Sequence, residues 1–356
     1  MQDITLEKSA ILCIFIDMLF VTTIIISTFL FAGQTGPWDN DLEAYLFIDS
    51  PTDIDDSGAT DVADLLELIK QWGSCTNCSG DFDNNDLVNV SDLLQLIDAW
   101  GENEIQTLPS ITVSNAGVPC ITRGPSGELV QMFQWFPNGD VSVQFIARRT
   151  SFDEGVTWGE IQSIQWTNDN FPHSTPADPS LVLLDNGTWR LYFTSHLIDE
   201  DKFPATFSAT SSDGLLFEWE SGKRMDLITS GLLDPSIIFF NGEYHFFAPR
   251  PGISHGSIYA TSTDGITFTQ QSDIVVKGYT DTKFLGNPSI IDDQLHFFGT
   301  LEPTDGNWGG VFIATSDNAV DWTVIWTNYG EIADPAGIQT SDGILMFVTA
   351  LYSTEP

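Results

Sequence analysis

The sequence predicts a mainly β protein: a five-bladed β-propeller, preceded by a small α-helical domain of two acidic loop–helix units and an N-terminal hydrophobic helix. Three observations predict it. Residues 11–32 form a long apolar run, a twelve-residue acidic stretch recurs 28 residues after its first copy, and a proline-opened, aromatic strand pattern recurs from residue 111 to the end. The expected boundaries are 1–33 for a signal peptide or membrane anchor, 34–50 for a linker, 51–101 for the acidic repeats, 102–110 for a second linker and 111–356 for the propeller.

The apolar run from Ile11 to Ala32 is interrupted by Asp17 and a few hydroxyl residues, and it is long enough to span a bilayer. Lys8 is the one basic residue before it, a sparse charge for a signal peptide, and Leu30 and Ala32 suit cleavage after Ala32. Asp17 opposes insertion, and Met18 is an alternative start. Cleaved signal and retained anchor both export the rest of the chain, so the protein is expected to be secreted or held at the outer surface.

Composition narrows the partners. Hydrophobic residues make up 42% of the 356 positions, which supports a sizeable core. Fifty acidic residues against twelve basic ones give a formal charge of −38. Few cations remain to neutralise phosphates, which argues against nucleic acid and against anionic lipid, and leaves the membrane to the N-terminal segment. Such a surface suits divalent cations, neutral or cationic ligands, and a saline habitat. Of four cysteines, Cys75 and Cys78 form a single C-x-x-C. One pair cannot complete a zinc site, so a local disulfide or free thiols are expected, with Cys120 a buried thiol in a strand.

The acidic repeats carry metal-ligand spacing. Positions 1, 3, 5, 9 and 12 are Asp53, Asp55, Ser57, Asp61 and Asp64 in the first copy, and Asp81, Asp83, Asn85, Asn89 and Asp92 in the second. Position 7 offers a backbone carbonyl, from Ala59 and Leu87. Short loops wrap oxygens around a hard cation in this way, so Ca2+ is the expected cofactor. Gly58 occupies the sharp turn at position 6, where the second copy has Asp86. Each loop runs into the same helical pattern: Val62, Leu65, Leu66, Leu68, Ile69 and Trp72 recur as Val90, Leu93, Leu94, Leu96, Ile97 and Trp100, with Gly73 and Gly101 at the C-cap places. The plainer alternative is an acidic linker with two amphipathic helices. On these residues the segment resembles a dockerin domain with EF-hand-type loops. That resemblance implies calcium-dependent folding and docking onto a cohesin-like partner, although similar repeats also occur in secreted proteins outside cellulosomes.

The downstream repeats read as blades. Units open at Asp178-Pro179, Asp234-Pro235, Asn287-Pro288 and Asp334-Pro335, spaced 56, 53 and 47 residues apart, with Val118-Pro119 as a looser first copy. Proline suits the first residue of a strand, and the spacing suits four strands per blade. Aromatic strands succeed the turns, for example Trp189 to Phe193 and Tyr244 to Phe247. Four units then carry Asp-box-like hairpins at Ser151 to Trp158, Ser211 to Phe217, Ser262 to Phe268 and Ser316 to Trp322, read as structural. The fifth unit shows two strands before Pro356, so either Ile111 to Ser114 supply a closing strand or the natural chain runs further.

Asp178, Asp234 and Asp334 hold the same place in three blades and are expected to converge at one mouth of the channel. Close carboxyls raise one another's pKa, and paired carboxyls are what glycoside hydrolysis needs; the alternative is that each Asp caps a turn. The Asp-Pro openings followed by an aromatic strand resemble the five-bladed arabinanase, levansucrase and invertase-like glycosidases. That resemblance implies an Asp base, a second Asp and a Glu acid, matched here by Asp178 and Asp234. The Glu-Gly-Pro opening is replaced by Gly286-Asn287-Pro288, and an amide cannot donate and recover a proton; Glu302, after an aromatic strand, is the remaining candidate. A weaker resemblance to sialidases rests on Pro119 to Trp135 and the box at Ser151. Gly117 stands where those enzymes carry an arginine, and six arginines in the whole chain leave little for a carboxylate clamp. His173 reaches either the same mouth or a surface loop, His245 and His296 read as structural, and Trp135, Trp189 and Trp308 either stack on sugar or fill the core. Two functions are consistent with these features: a secreted carbohydrate-active, glycosidase-like propeller acting on a polysaccharide or glycan, or a non-catalytic cell-surface propeller that binds glycan or protein.

Overall fold

The computed structural model describes residues 39–47, 52–55, 60–100, 105–167, 175–197, 202–250, 256–302 and 309–350. The N-terminal apolar run lies outside them. Among the described residues no helix is long and apolar enough to cross a membrane.

Five antiparallel sheets form the blades of a propeller. Blade 1 runs from Ala116 to Ser163, blade 2 from Ala177 to Met225, blade 3 from Ser236 to Gln270 and blade 4 from Thr282 to Asn328. Their innermost strands are neighbours in cyclic order, and the fifth meets the first. Two short strands tie blades together: Gln165–Trp166 pairs in parallel with the edge of blade 2, and Val275–Lys277 with the edge of blade 4. Covering an edge in this way removes a free pairing surface.

Blade 5 corrects the expected domain order. Its two inner strands are Ile332–Thr340 and Gly343–Ala350, its third is Asp41–Phe47 and its fourth Ile105–Thr107. Asp41–Phe47 and Ile105–Thr107, which fall in the spans 34–50 and 102–110 expected as linkers, are therefore strands, and the acidic repeats are inserted within the last blade rather than set before the propeller. Asp41–Phe47 pairs residue for residue with Ala350–Ile344, and Leu42, Ala44 and Phe47 turn into the core. Ile111 to Ser114 do not close the sheet. Pro109–Ile111 forms a 3-10 turn, and Val113 makes one isolated bridge to Leu42. Pro109 brings no N–H to a ladder, which suits a turn there.

The core is divided among the blade interfaces. Phe193, Phe207 and Phe217 of blade 2 pack on Val130 and Met132 of blade 1. Phe247 and Tyr259 of blade 3 meet Phe284, Phe297 and Trp322 of blade 4. Phe347 of blade 5 meets Ile121 and Leu129 of blade 1. The Asp-box hairpins are structural, as their hydrogen bonds show: Asp264 accepts from the N–H groups of Ile266 and Thr267 at 2.8 Å, and Gly265 adopts φ +67°. His245 is buried between Tyr259 Oη and Phe240 O, at 2.9 and 3.2 Å. Trp189 is core, and Trp135 packs on the Leu42–Phe133 cluster. His173 and Trp308 lie outside the described residues.

Candidate functional site

The axis is shaped by a backbone feature repeated in four blades. Val118, Asp178, Asp234 and Asp334 precede prolines, and each has φ between +49° and +53°. Residues other than glycine reach this region at a cost of about 1–3 kcal/mol. In blades 1, 2 and 5 the strand register shifts at the same point, so a bulge turns these residues out of the ladder and toward the axis. Blade 4 solves the problem differently: Gly286 takes φ +145°, and Asn287 stays in the strand, buried.

The freed N–H groups are taken by neighbouring blades. Thr349 Oγ1 accepts from Val118 N at 2.9 Å, Thr300 Oγ1 from Asp334 N at 2.9 Å, and the Asp178 carboxylate itself from Asp234 N at 3.2 Å. Asp178 therefore stitches two blades as well as carrying a carboxyl. The three aspartates converge as their repeat positions predicted. Asp178 and Asp334 are 7% and 5% exposed, and Asp234 keeps partial solvent access.

Their acidity follows from that enclosure. Burial raises the Asp178 pKa, opposed by the Thr194 hydroxyl and the Asp234 N–H. Asp234 is raised well above the usual carboxylate range, first by burial and then by repulsion from Asp178 and Asp334, with Lys283 opposing. Asp334 is pushed up to about 7 by burial and Asp178, with Thr349 opposing. Lys283 was not singled out from sequence; it is 9% exposed on the inner strand of blade 4 and pairs with Glu302 at 2.8 Å. Its basic side chain amid inner-strand apolar residues was the available signal. Closely spaced, enclosed carboxyls of this kind retain protons that an exposed carboxyl would lose.

The acidic loops bring together two further clusters of carboxylates. Carboxylate oxygens of Asp53, Asp55 and Asp64 lie within 4.8 Å of one another, as do those of Asp81, Asp83 and Asp92. Oxygens ligating one Ca2+ at about 2.4 Å would be separated by at most about 4.8 Å, so both sets fit that ion. Backbone N–H groups hold the carboxylates in place: Asp64 accepts from Ile54 and Asp61 at 2.6 and 2.8 Å, and Asp92 from Phe82 and Asn89 at 2.9 and 2.8 Å. Asp61 and Asn89, expected as ligands, cap helices α1 (Val62–Lys70) and α2 (Val90–Asp98), with Asp64 and Asp92 completing the capping boxes. Asp86 takes φ +62°, the conformation its glycine counterpart was expected to favour. Asn85 donates its N–H to Asp81, and Leu87 pairs with Ser74. Ser57 and Ala59 lie outside the described residues. A disulfide joins Cys75 to Cys78 beside the small core of Leu68, Val88 and Leu96.

A family described as BNR repeat-like domain matches residues 87–284. No curated protein matches the chain. Among solved structures, a sucrose-6-phosphate hydrolase from Lactobacillus gasseri is similar at 14% identity and TM-score 0.50, over 67% of this chain and 54% of that one. A GH32 β-fructofuranosidase from Bombyx mori aligns at 13% identity and TM-score 0.49, over 68% and 56%. An N-acetylgalactosamine deacetylase from F. plautii aligns at 12% identity and TM-score 0.48, over 64% and 76%. The chain spans about half the length of the first two, and the first shows a shared propeller fold.

Proposed function

Starting from a chain that belongs to the BNR repeat-like domain family, we propose that the propeller is a secreted or surface-anchored glycosidase that works through its axial carboxyls. The convergence of Asp178 and Asp234 on adjacent blades, where the Asp178 carboxylate accepts the Asp234 N–H, carries the reading: carboxyls with raised pKa values hold a proton that can be donated to a leaving oxygen. Asp334 sets the charge of the pair. The substrate class is a polysaccharide or other glycan, in keeping with a net charge of −38 that repels polyanions. The test is a screen of aryl-glycosides and polysaccharides with purified protein, alongside Asp178→Asn and Asp234→Asn. Each substitution is expected to abolish turnover with folding retained, and activity that persists in both removes the carboxyls from the mechanism.

A second reading is favoured by one observation. Asn287 occupies the blade-4 position where the glycosidase resemblance implies a Glu, and it is buried. On that reading the ring binds glycan or protein without cleaving it, and the same screen returns binding without product.

The inserted repeats act, on this proposal, as a dockerin-like module that folds around two Ca2+ ions. Its outward faces support a partner. Val62, Leu66 and Ile69 are 59%, 54% and 52% exposed, and their counterparts Val90, Leu94 and Ile97 are 57%, 60% and 52% exposed. Such apolar stripes suit a cohesin-like protein or another apolar partner. The Cys75–Cys78 disulfide fits an oxidising, exported setting. Calorimetric titration with CaCl2 checks the module: two binding events are expected, and no heat at millimolar Ca2+ removes the cofactor.

A further inference from the structure

Blade 1 differs from its siblings on its outer rim. The third strand, Phe145–Ser151, sends alternate residues to opposite faces. One face buries Ala147, Arg149 and Ser151, and the other presents Arg148 and Thr150 and continues into Phe152. Aligned on the first serine of each box, the positions of Arg148 and Phe152 are Ser208 and Ser212 in blade 2, Tyr259 and Thr263 in blade 3, and Ile313 and Asp317 in blade 4. The hairpin therefore forms without an aromatic at this place. Phe152 is nonetheless 83% exposed at the edge of the rim.

That ring borders a groove of about 600 Å3, lined also by Arg148, Thr150, Trp158, Glu160 and Gln162. The Arg148 guanidinium is fixed at the boundary with blade 2, where Nη1 donates to Asp213 O at 2.9 Å, while its shielded Nε has no hydrogen-bond partner. Gln162 sits opposite Arg148 in the strand pairing, and Glu160 and Gln162 are both exposed. A flat aromatic surface thus faces solvent beside a guanidinium, an amide, a carboxylate and a hydroxyl, all within one groove. Asp153 also lines it, but its carboxylate is occupied by Thr157 N and Oγ1 at 2.8 and 2.6 Å.

We infer that this rim groove is a binding site for a neutral saccharide, with the apolar face of one sugar ring on Phe152 and its hydroxyls against Arg148, Glu160 and Gln162. A mixed donor–acceptor set beside an exposed aromatic matches a sugar, which presents C–H groups on one face and hydroxyls at its edge. The groove holds both charge signs, and the protein around it is strongly acidic, which disfavours an anionic glycan. The inference goes beyond the axial reading and holds whether or not the axis cleaves its ligand, since a rim site retains a polymer that the ring meets elsewhere along its length.

The test is affinity electrophoresis of the full chain through gels containing a neutral xylan, mannan, fructan or arabinan, with polygalacturonate as the anionic control. At least one neutral polymer is expected to retard the protein. Phe152→Ser and Arg148→Ser copy residues already present in blade 2, so both should fold, and each is expected to weaken that retardation at least tenfold. Phe152→Ser is expected to leave turnover of a small aryl-glycoside unchanged, whereas Asp178→Asn should spare the retardation. No retardation by any neutral polymer, retardation by polygalacturonate alone, or retardation indifferent to both rim substitutions overturns the inference. Retardation lost in Asp178→Asn with the rim intact moves the binding to the axis.

Discussion

Removing calcium from the inserted module is expected to loosen the propeller that contains it. The module enters after Phe47 and leaves before Ile105, and these two residues are paired in blade 5, so its ends must be held side by side. Residues 48 to 104, 57 in all, span that gap. If they fold around Ca2+ they behave as a short, rigid connection; stripped of the ion, they become a long flexible loop. Loop closure costs (3/2)RT ln n, so a flexible chain of about 57 residues closes at roughly 2 kcal/mol more than a tight hairpin of about 4. For a domain of this size that is a fall in Tm of roughly 4 to 8 °C, on top of the melting of the module itself. Differential scanning calorimetry in CaCl2 and in EDTA measures both, with the ellipticity at 222 nm reporting helices α1 and α2. If EDTA melts the helices while the main transition stays within 1 °C, ring and module are not coupled through blade 5. If EDTA changes neither, the loops hold no calcium, and the two failures are distinguishable.

Three further outcomes are expected from the same structure. Asp334 has its pKa raised from 3.8 to about 7, so the folded chain binds that proton more tightly than the unfolded one; its contribution to stability is therefore intact below pH 4 and is lost as pH rises to about 7. The full shift corresponds to about 4 kcal/mol. Asp334→Asn is expected to flatten the stability profile between pH 4 and 8 and to exceed the parent at pH 8, read from urea melts, and an unchanged profile contradicts the buried carboxyl. Asp264→Ala removes an acceptor for the Ile266 and Thr267 N–H groups and for Ser262 Oγ, and should destabilise by about 1 kcal/mol at pH 7. The Asp264 pKa is lowered to about 2, chiefly by the Thr267 and Ile266 N–H groups, so that difference fades as acid titrates through about pH 2. Gly286→Ala would set a methyl 2.2 Å from Phe298 O and 2.8 Å from Pro335 O at a φ of +145°. Neither backbone can yield, so a loss above about 3 kcal/mol or failure to fold is expected, checked by the soluble yield and the urea midpoint.

The features legible in the sequence are those with a local signature. Pro openings, Asp boxes and the twin acidic loops are short and repeated, and the structure sets the first two in blades and the third beside paired helices. What escaped was non-local. Asp-Leu-Glu-Ala-Tyr-Leu-Phe at 41–47 alternates only loosely, and its partner strand lies at 343–350, so nothing near it in the chain announces a strand. The axial aspartates were visible by position. Their left-handed backbone, the threonines that catch the freed N–H groups and the Lys283–Glu302 pair were not, because each depends on the neighbouring blade. Positions 9 of the loops, Asp61 and Asn89, also cap the following helices, a role the sequence did not separate from ligation because both call for the same residue types.

Closure in blade 5 also ties the two halves of the chain together chemically. A propeller whose last blade borrows a strand from the N-terminal side cannot open without breaking seven paired positions between Asp41–Phe47 and Ile344–Ala350. The same blade supplies Asp334 and Thr349 to the axis, and Thr349 accepts the Val118 N–H of blade 1. Loosening blade 5 therefore disturbs the axial carboxyls at two points: it moves Asp334, whose charge raises the Asp234 pKa, and it releases Val118 on the innermost strand of blade 1. An effect of the inserted module on axial chemistry needs no contact between them. It requires that the strands flanking the module belong to the sheet that carries one of the three aspartates, which they do.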